Sequence, residues 1–321
     1  MKVYSKLEGN HILQLSIGLF AAILCSFLLF CGLSLDSLGR KAAANTINYT
    51  RSLDGVDDTN ATLTLDGGVY QINTVDDLRA MAYLVNNGKV DGNNGDLPYS
   101  AASYALNSHL DLSGYAYWEG IGNLSNPFTG TFDGKGHTLY GLTILDPEYV
   151  SSSIDTTGIS VDPEGAIETY RGLFGYVKYN GTDVVIKNIG LKDSFVKTNG
   201  TYAGSLVGRA EGDSTQGTAT IQILECYNIG YVEGSIDVGG LVGSLEYATL
   251  KDCYNAPSSI ALDRFSDTVA NTTFGVVVNA AGGSAGGLVG LGVDDNANRI
   301  ILNSYNASVV GKAESVDASE V

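Results

Sequence analysis

The chain has 321 residues, 44% of them apolar and only 17% charged, which argues against disorder throughout and allows one large or two ordinary domains. A formal net charge of −17 argues against nucleic acid or an anionic membrane surface as partner, since both reward Lys and Arg. With 41 glycines against 5 prolines and plentiful Asn, Thr, Tyr and Val, the composition is that of a β protein with many tight turns.

After Lys2 and Lys6 the chain runs from Ile12 to Leu35 without a charge, long enough to cross a bilayer as a helix. Residues 1–44 therefore read as an export segment, and the protein is expected to be secreted or held at the cell surface. Ala42-Ala43-Ala44 offers a small-residue cleavage site behind Arg40 and Lys41, so the segment is either a cleaved signal peptide or a retained anchor. Membrane contact is expected only through it. A lipid anchor at Cys31 is disfavoured by Phe30, which stands where a small residue is needed.

Residues 45–69 read as a linker and a short hairpin, the latter from the alternation of Leu63, Leu65 and Val69 around Asp66-Gly67-Gly68. A helix is expected over 74–87. Thr74 is its N-cap with Asp77 three residues on; Leu78, Met81, Ala82 and Val85 share a face, and Asn86-Asn87-Gly88 stops it. A lone helix ahead of a repetitive β region is placed to cap that region's open first edge.

Beyond the helix the sequence is periodic. RGLFGY (171–176), GSLVGR (204–209), GGLVGS (239–244) and GGLVGL (286–291) repeat one unit. Counting Arg171 as the degenerate counterpart of Gly204, Gly239 and Gly286 gives steps of 33, 35 and 47 residues, the last carrying an insertion. A second element recurs between them as IKNIGL (186–191), ILECYN (223–228), LKDCYN (250–255) and ILNSYN (301–306). Short apolar segments alternating with glycine-bearing corners at this period are what a β-solenoid needs. Stacked coils sit about 4.8 Å apart, so the repeat glycines, Gly172, Gly175, Gly204, Gly208, Gly239, Gly240, Gly243, Gly286, Gly287 and Gly290, are expected to turn the coil where no Cβ fits and φ > 0 is allowed. The Leu-Val or Leu-Phe pairs between them fill it.

Strict alternation through the second element would bury Glu225 and Asp252, which is too costly for unpaired carboxylates. The chain is therefore expected to bend at Asn188, Glu225, Asp252 and Asn303, turning Cys226, Cys253 and Ser304 inward. Asn228, Asn255 and Asn306 are expected at equivalent left-handed corners, forming a side-chain ladder.

These G-G-L-V-G and C-Y-N copies resemble the GLUG repeat of large bacterial surface proteins, adhesin-like chains with filamentous-haemagglutinin-like β-helices. Residues 104–144 are similar to the segment that precedes such repeats, with Leu110-Asp111-Leu112, Trp118, Ile121-Gly122, Phe128, Gly130, Phe132-Asp133-Gly134 and Gly136-His137-Thr138 in the family's order. The resemblance spans about residues 70–310. It implies an all-β fold, a right-handed parallel β-helix with an N-terminal capping helix, exported and displayed on bacterial cells. Such chains usually continue into further repeats or an anchor, whereas here a polar tail (311–321) follows without a sorting motif. Either the tail caps the last coil or the sequence is a fragment.

Chemistry-bearing residues are few. Asp133, Lys135 and His137 lie together in FDGKGH, but the stretch has turn chemistry and matches a structural segment of the family. Glu225 and Asp252 would stack outward on neighbouring coils at a spacing that suits a retaining glycosidase or a calcium site, yet Asn188 and Asn303 flank them, and a solvated polar row is the plainer reading. DGNNGD (91–96) and DDNAN (294–298) lack the spacing of a calcium loop. No metalloprotease motif, phosphate-binding loop or nucleophile elbow occurs. Cys226 and Cys253, 27 residues apart, suit adjacent layers more than a disulfide, because Ser304 takes the third place. Tyr227, Tyr254 and Tyr305 recur opposite the cysteines and are the candidate ligand-facing strip.

The sequence thus predicts an exported, non-catalytic β-solenoid without cofactor or metal, acting as a surface stalk or adhesin-like module. Its partner would be a glycan or a protein on a host or neighbouring cell, bound on the flat side of the solenoid or at the insertion between Ala256 and Gly282. The alternatives are a polysaccharide-cleaving enzyme, with Arg209 or Lys251 as the nearest basic residue, and a fragment of a larger surface protein with a protease domain elsewhere.

Overall fold

The computed structural model describes residues 60–115, 118–145, 169–258, 275–278, 283–294 and 301–312. The expected export segment (1–44), most of the expected linker, the bulk of the 256–282 insertion and most of the tail lie outside the described residues.

β1 (Thr64–Asp66) and β2 (Val69–Ile72) form the expected hairpin, turning at Gly67 and Gly68, whose φ of 56° and 83° is what a two-residue turn requires. α1 (Val75–Asn86) follows. The Thr74 hydroxyl accepts the Asp77 amide while the Asp77 carboxylate accepts the Thr74 amide, a reciprocal cap. Leu78, Met81 and Val85 are buried in the main core. The free edge of β2, which the sequence led one to expect the helix to cover, is paired by β1, while α1 closes over the apolar interior beside β2. Its last side chain, Asn86, ties it to the next segment, donating to the Gly120 carbonyl and accepting the Gly122 amide.

The rest is parallel β structure. Apart from β1 and the short Val90–Asp91 with Leu97–Pro98 pair, every described strand pair is parallel. The chain visits five in-register ladders in turn. Ladder I takes Val69–Ile72, Ser103–Leu106, 131–133, 184–187, Ile221–Leu224, Ala248–Lys251 and Ile301–Leu302. Ladder II takes Leu110–Asp111, 137–140, 189–192, 227–229, Tyr254–Ala256 and Tyr305–Asn306. Ladder III takes Thr143–Leu145, 195–197, 231–234, Val276–Val278 and Val310–Lys312. Ladder IV takes Tyr170–Arg171, Tyr202–Gly204, Asp237–Gly239 and Ser284–Gly286. Ladder V takes Phe174–Lys178, Val207–Glu211, Val242–Glu246 and Val289–Val293. One passage through them is a layer, and inward columns such as Phe132, Ile186, Ile223 and Leu250 are fully buried.

Between ladders I and II the chain bends where the buried-carboxylate argument places it. Asn188, Glu225, Asp252 and Asn303 have φ of 56°, 53°, 55° and 47°. Each bend interrupts the backbone ladder, and the next side chain repairs it. The Cys226 amide donates to Cys253 Sγ at 3.4 Å and the Cys253 amide to Ser304 Oγ at 3.0 Å. Each of these groups donates in turn to the carbonyl two residues back, at 3.1, 3.1 and 2.7 Å. Small polarizable or hydroxylic side chains are therefore required here, and both cysteines are free thiols.

Three expectations are corrected. The repeat glycines do not turn the coil through positive φ, for none of them adopts it. They let ladders IV and V approach backbone to backbone. A Cβ on Gly204 would sit 2.3 Å from the Val207 carbonyl oxygen, on Gly239 1.9 Å from that of Val242, and on Gly286 1.8 Å from that of Val289. Gly208, Gly243 and Gly290 press the other way, with a Cβ falling 2.6 Å from the Arg171 nitrogen, 2.5 Å from the Gly208 oxygen and 2.4 Å from the Val238 nitrogen. In the first copy the counterpart of Gly204 is Gly172 rather than Arg171, since Arg171 pairs with Ala203. Gly172 and Gly175 make the same contacts there, and the copy lacks the residue held elsewhere by Ser205, Gly240 or Gly287.

The asparagines form a ladder, but not at corners. Asn228, Asn255 and Asn306 are strand residues of ladder II, in the inward column that Leu139 and Leu191 occupy earlier. Asn228 Nδ2 donates to Asn255 Oδ1 at 2.8 Å and Asn255 Nδ2 to Asn306 Oδ1 at 3.0 Å, while Ser194 Oγ donates to Asn228 Oδ1. Gly240 and Gly287 make the room: a Cβ there would lie 2.3 Å from Asn255 Nδ2 and 2.1 Å from Asn306 Cγ.

Candidate functional site

The tyrosine strip lies on the outer side of ladder II. Tyr227, Tyr254 and Tyr305 pair in register. Their rings stack with centroids 4.9 and 5.3 Å apart and planes within 7°. Tyr227 and Tyr254 are half-buried and Tyr305 is 58% exposed. Gly190 holds the same column one layer up, so the Tyr227 ring tilts over it, within 2.1 Å of where a Cβ would stand, and its hydroxyl meets Thr138 Oγ1 at 2.8 Å. Because the rings cover one another's faces, the strip offers solvent its ring edges and hydroxyls. Burial, and then its two neighbours, push the Tyr254 phenol up.

Other sequence candidates are committed to structure. Asp133, Lys135 and His137 do lie together, but Asp133 Oδ1 accepts the Lys135 amide and Asn188 Nδ2, and Oδ2 pairs with Lys187 at 3.3 Å. Burial alone would raise this carboxyl; those partners outweigh it and hold it below the usual range. His137 packs edge-on against His109, whose Nδ1 accepts the Thr138 amide. Glu225 and Asp252 are exposed bend residues, and Asp252 lies 3.7 Å from Lys251 Nζ. Asp91 of DGNNGD accepts the Tyr70 hydroxyl and the Asn93 amide. Residues 295–298 of DDNAN lie outside the described residues. Burial, and then Cys253, push the Cys226 thiol up, so it stays protonated. Among the described residues no cluster of His, Cys, Asp and Glu could hold a metal ion.

A second polar cluster, which the sequence reading reduced to Arg209 alone, crosses ladders IV and V. Tyr170 stacks on Tyr202 (5.5 Å, 3°) and on Tyr176 (4.8 Å, 13°), and the Arg209 guanidinium lies over Tyr176 and Tyr202 at 5.8 and 5.3 Å. Arg209 forks onto Glu246, Nε to Oε1 at 2.7 Å and Nη2 to Oε2 at 3.0 Å, and reaches Glu211 at 3.2 Å; Lys178 pairs with Glu211 at 2.8 Å. Burial would lower the Arg209 pKa and raise that of Glu211, but their partners win in both cases, so Arg209 moves up and Glu211 down. Asp237 is the exception: burial first, and then Glu246, raise its carboxyl against the opposing Ser284 hydroxyl. Lys178, Arg209, Glu211 and Glu246 form one side of an open cleft of about 640 Å³. The signal for this cluster was Tyr170 and Tyr176 about the first repeat copy and Tyr202 and Arg209 about the second, visible only once the ladders are aligned.

No known protein-family profile matches the chain. It is 29% identical over 188 residues to Halomucin of Haloquadratum walsbyi, covering 55% of this chain and 2% of that protein. Its fold is similar to that of a provisionally assigned immunoglobulin A1 protease from Bacteroides ovatus, with a TM-score of 0.51 and 20% identity over 77% of this chain and 60% of the other. The chain thus spans a small part of the first and about three fifths of the second, and the latter likeness bears on the fold alone. Among the described residues no helix is long and apolar enough to cross a membrane.

Proposed function

We propose that the layers wind as a right-handed parallel β-helix of the GLUG-repeat kind, and that the chain is an exported, non-catalytic stalk or adhesin-like module at a cell surface. One observation carries the reading. Five ladders hold register over successive layers, so outward residues recur as straight columns on a rigid frame, the tyrosine strip first among them. Such a frame displays groups at fixed intervals along a length, which suits recognition of a repetitive or extended partner. The similarity to Halomucin supports the surface reading, and that to the solved structure supports the fold alone.

The alternative of polysaccharide cleavage requires a groove with clustered carboxylates and a basic residue, Arg209 or Lys251 being the nearest, and Glu211, Asp213 and Glu246 do line a cleft with Arg209. The Arg209 guanidinium, however, is held by Glu246 and Glu211, and Lys251 stands on ladder I beside Asp252. The partner is expected to be a glycan or a surface protein. The test is to probe intact cells for the full chain with an impermeant label and to screen the same chain against glycan and surface-protein arrays. Labelling only after lysis, with no array ligand retained, would sink the proposal.

A further inference from the structure

The connection from ladder V to ladder I differs sharply between layers. It spans residues 179–183 in one layer and 212–220 in the next, but Tyr247 alone in the third. Residues of all three connections line the cleft of about 640 Å³, which opens at this step. Tyr179, Gly212 and Tyr247 are stacked equivalents: the Tyr179 amide donates to Glu211 O, the Gly212 amide to Glu246 O and the Tyr247 amide to Val293 O. All three line the cleft. Tyr179, which is partly buried against the core, and Tyr247 therefore stand two layers apart, about 10 Å between backbones at β spacing, with Gly212 between them. Gly212 must stay so, since a Cβ there would sit 2.2 Å from the Tyr247 oxygen.

Tyr247 is also strained. It has φ of 49° and is the one aromatic among the described non-glycine residues at positive φ, the others being Asp, Asn, Glu or Lys. A bulky side chain in that region is a genuine outlier, and such strain persists where function retains it. Asn or Gly would suit the backbone better.

The charges define the ligand. Both cations of the cleft are engaged by carboxylates, Arg209 by Glu246 and Glu211 and Lys178 by Glu211, and Asp213 adds a further acid. An anion would meet three carboxylates against two paired cations. A polyhydroxyl ligand has no such conflict, because each hydroxyl both donates and accepts and can join the paired Lys178, Glu211 and Glu246 groups without adding charge. A pyranose also has apolar C–H faces that pack on tyrosine rings. We propose that the cleft is a binding site for one unit of a neutral saccharide, seated over Gly212 between Tyr179 and Tyr247 and hydrogen-bonded by the Arg209, Glu211 and Glu246 network.

This rests on the reading of the chain as a binding module, and one comparison separates the two. The full chain and its Tyr247→Asn and Tyr179→Ala variants are titrated with short neutral oligosaccharides of hexoses and N-acetylhexosamines, alongside sialylated and uronic-acid counterparts. Neutral members are expected to bind and acidic ones not. Tyr247→Asn is expected to raise the melting temperature, by relieving the backbone, while weakening binding about tenfold or more, the loss of one stacking partner. Tyr179→Ala is expected to weaken it similarly. The proposal is overturned if both variants bind as the parent does, if acidic members are preferred, or if no oligosaccharide binds. If replacing Tyr227, Tyr254 and Tyr305 abolishes binding that both cleft variants retain, the cleft assignment falls and the module reading stands.

Discussion

Gly239→Ala is the sharpest perturbation of the layer packing. The added Cβ would lie 1.9 Å from the Val242 carbonyl oxygen and 2.8 Å from both the Leu288 oxygen and the Gly290 nitrogen. All three are backbone atoms, two of them in the next layer, so no flexible side chain can swing aside. Overpacking of this kind costs typically 1–3 kcal/mol and occasionally more, and with rigid neighbours on two layers about 3 kcal/mol is expected. Against it stands a gain of about 0.4–1 kcal/mol from the reduced entropy of the unfolded chain, because φ at Gly239 is not positive. The clash wins, leaving a net loss of about 2 kcal/mol or more. Gly217→Ala is the control. Gly217 has nothing within 4 Å of the added Cβ and no positive φ, so only the entropic gain remains. Urea unfolding followed by far-UV circular dichroism measures both. Were Gly239→Ala as stable as Gly217→Ala, the close approach of ladders IV and V would be refuted.

Two further predictions concern the buried polar groups. Asn255→Ala removes the acceptor for Asn228 Nδ2 and the donor to Asn306 and Ser308, leaving a fully buried amide unsatisfied. A loss of about 3 kcal/mol is expected in the same denaturation assay. Asp237 has a folded-state pKa raised by burial and by Glu246, so its contribution is fully present below the unfolded value near pH 4 and is lost as pH rises through the folded one. Asp237→Asn should therefore stabilise the protein at pH 7 and make no difference at pH 3, as read from melting temperatures across that range. The opposite trend would show that Asp237 is held ionised by a partner.

Much of this architecture was legible because local chemistry left one choice. The cost of burying Glu225 and Asp252 located the bends, and that phase then placed the cysteines inside and the tyrosines outside. Thr74 and Asp77 announced the helix in the same way. The misreadings are all non-local. That no Cβ fits at Gly204 and Gly239 followed from the spacing of stacked layers, but that they need no positive φ depends on how ladders IV and V meet, which their recurrence does not tell. Asn228 and Asn255 lie within a buried column where Leu139 and Leu191 stand earlier, a place that Gly240 and Gly287 open from across the layer. Arg171 was matched to Gly204 because a missing residue inside the first copy is invisible until Arg171 pairs with Ala203. The cleft beside Arg209 follows from unequal connections, which become readable only when Tyr179, Gly212 and Tyr247 are known to be equivalent.

Register underlies every column of the fold, and electron paramagnetic resonance tests it most directly. Nitroxides are attached at Lys187 and Lys251, outward positions of ladder I two layers apart, in a chain whose native cysteines are replaced by serine. In-register layers place these backbones about 10 Å apart and predict strong dipolar broadening that disappears on unfolding. Sharp, unbroadened spectra from the folded protein would contradict the stacking of these layers and with it every column described above.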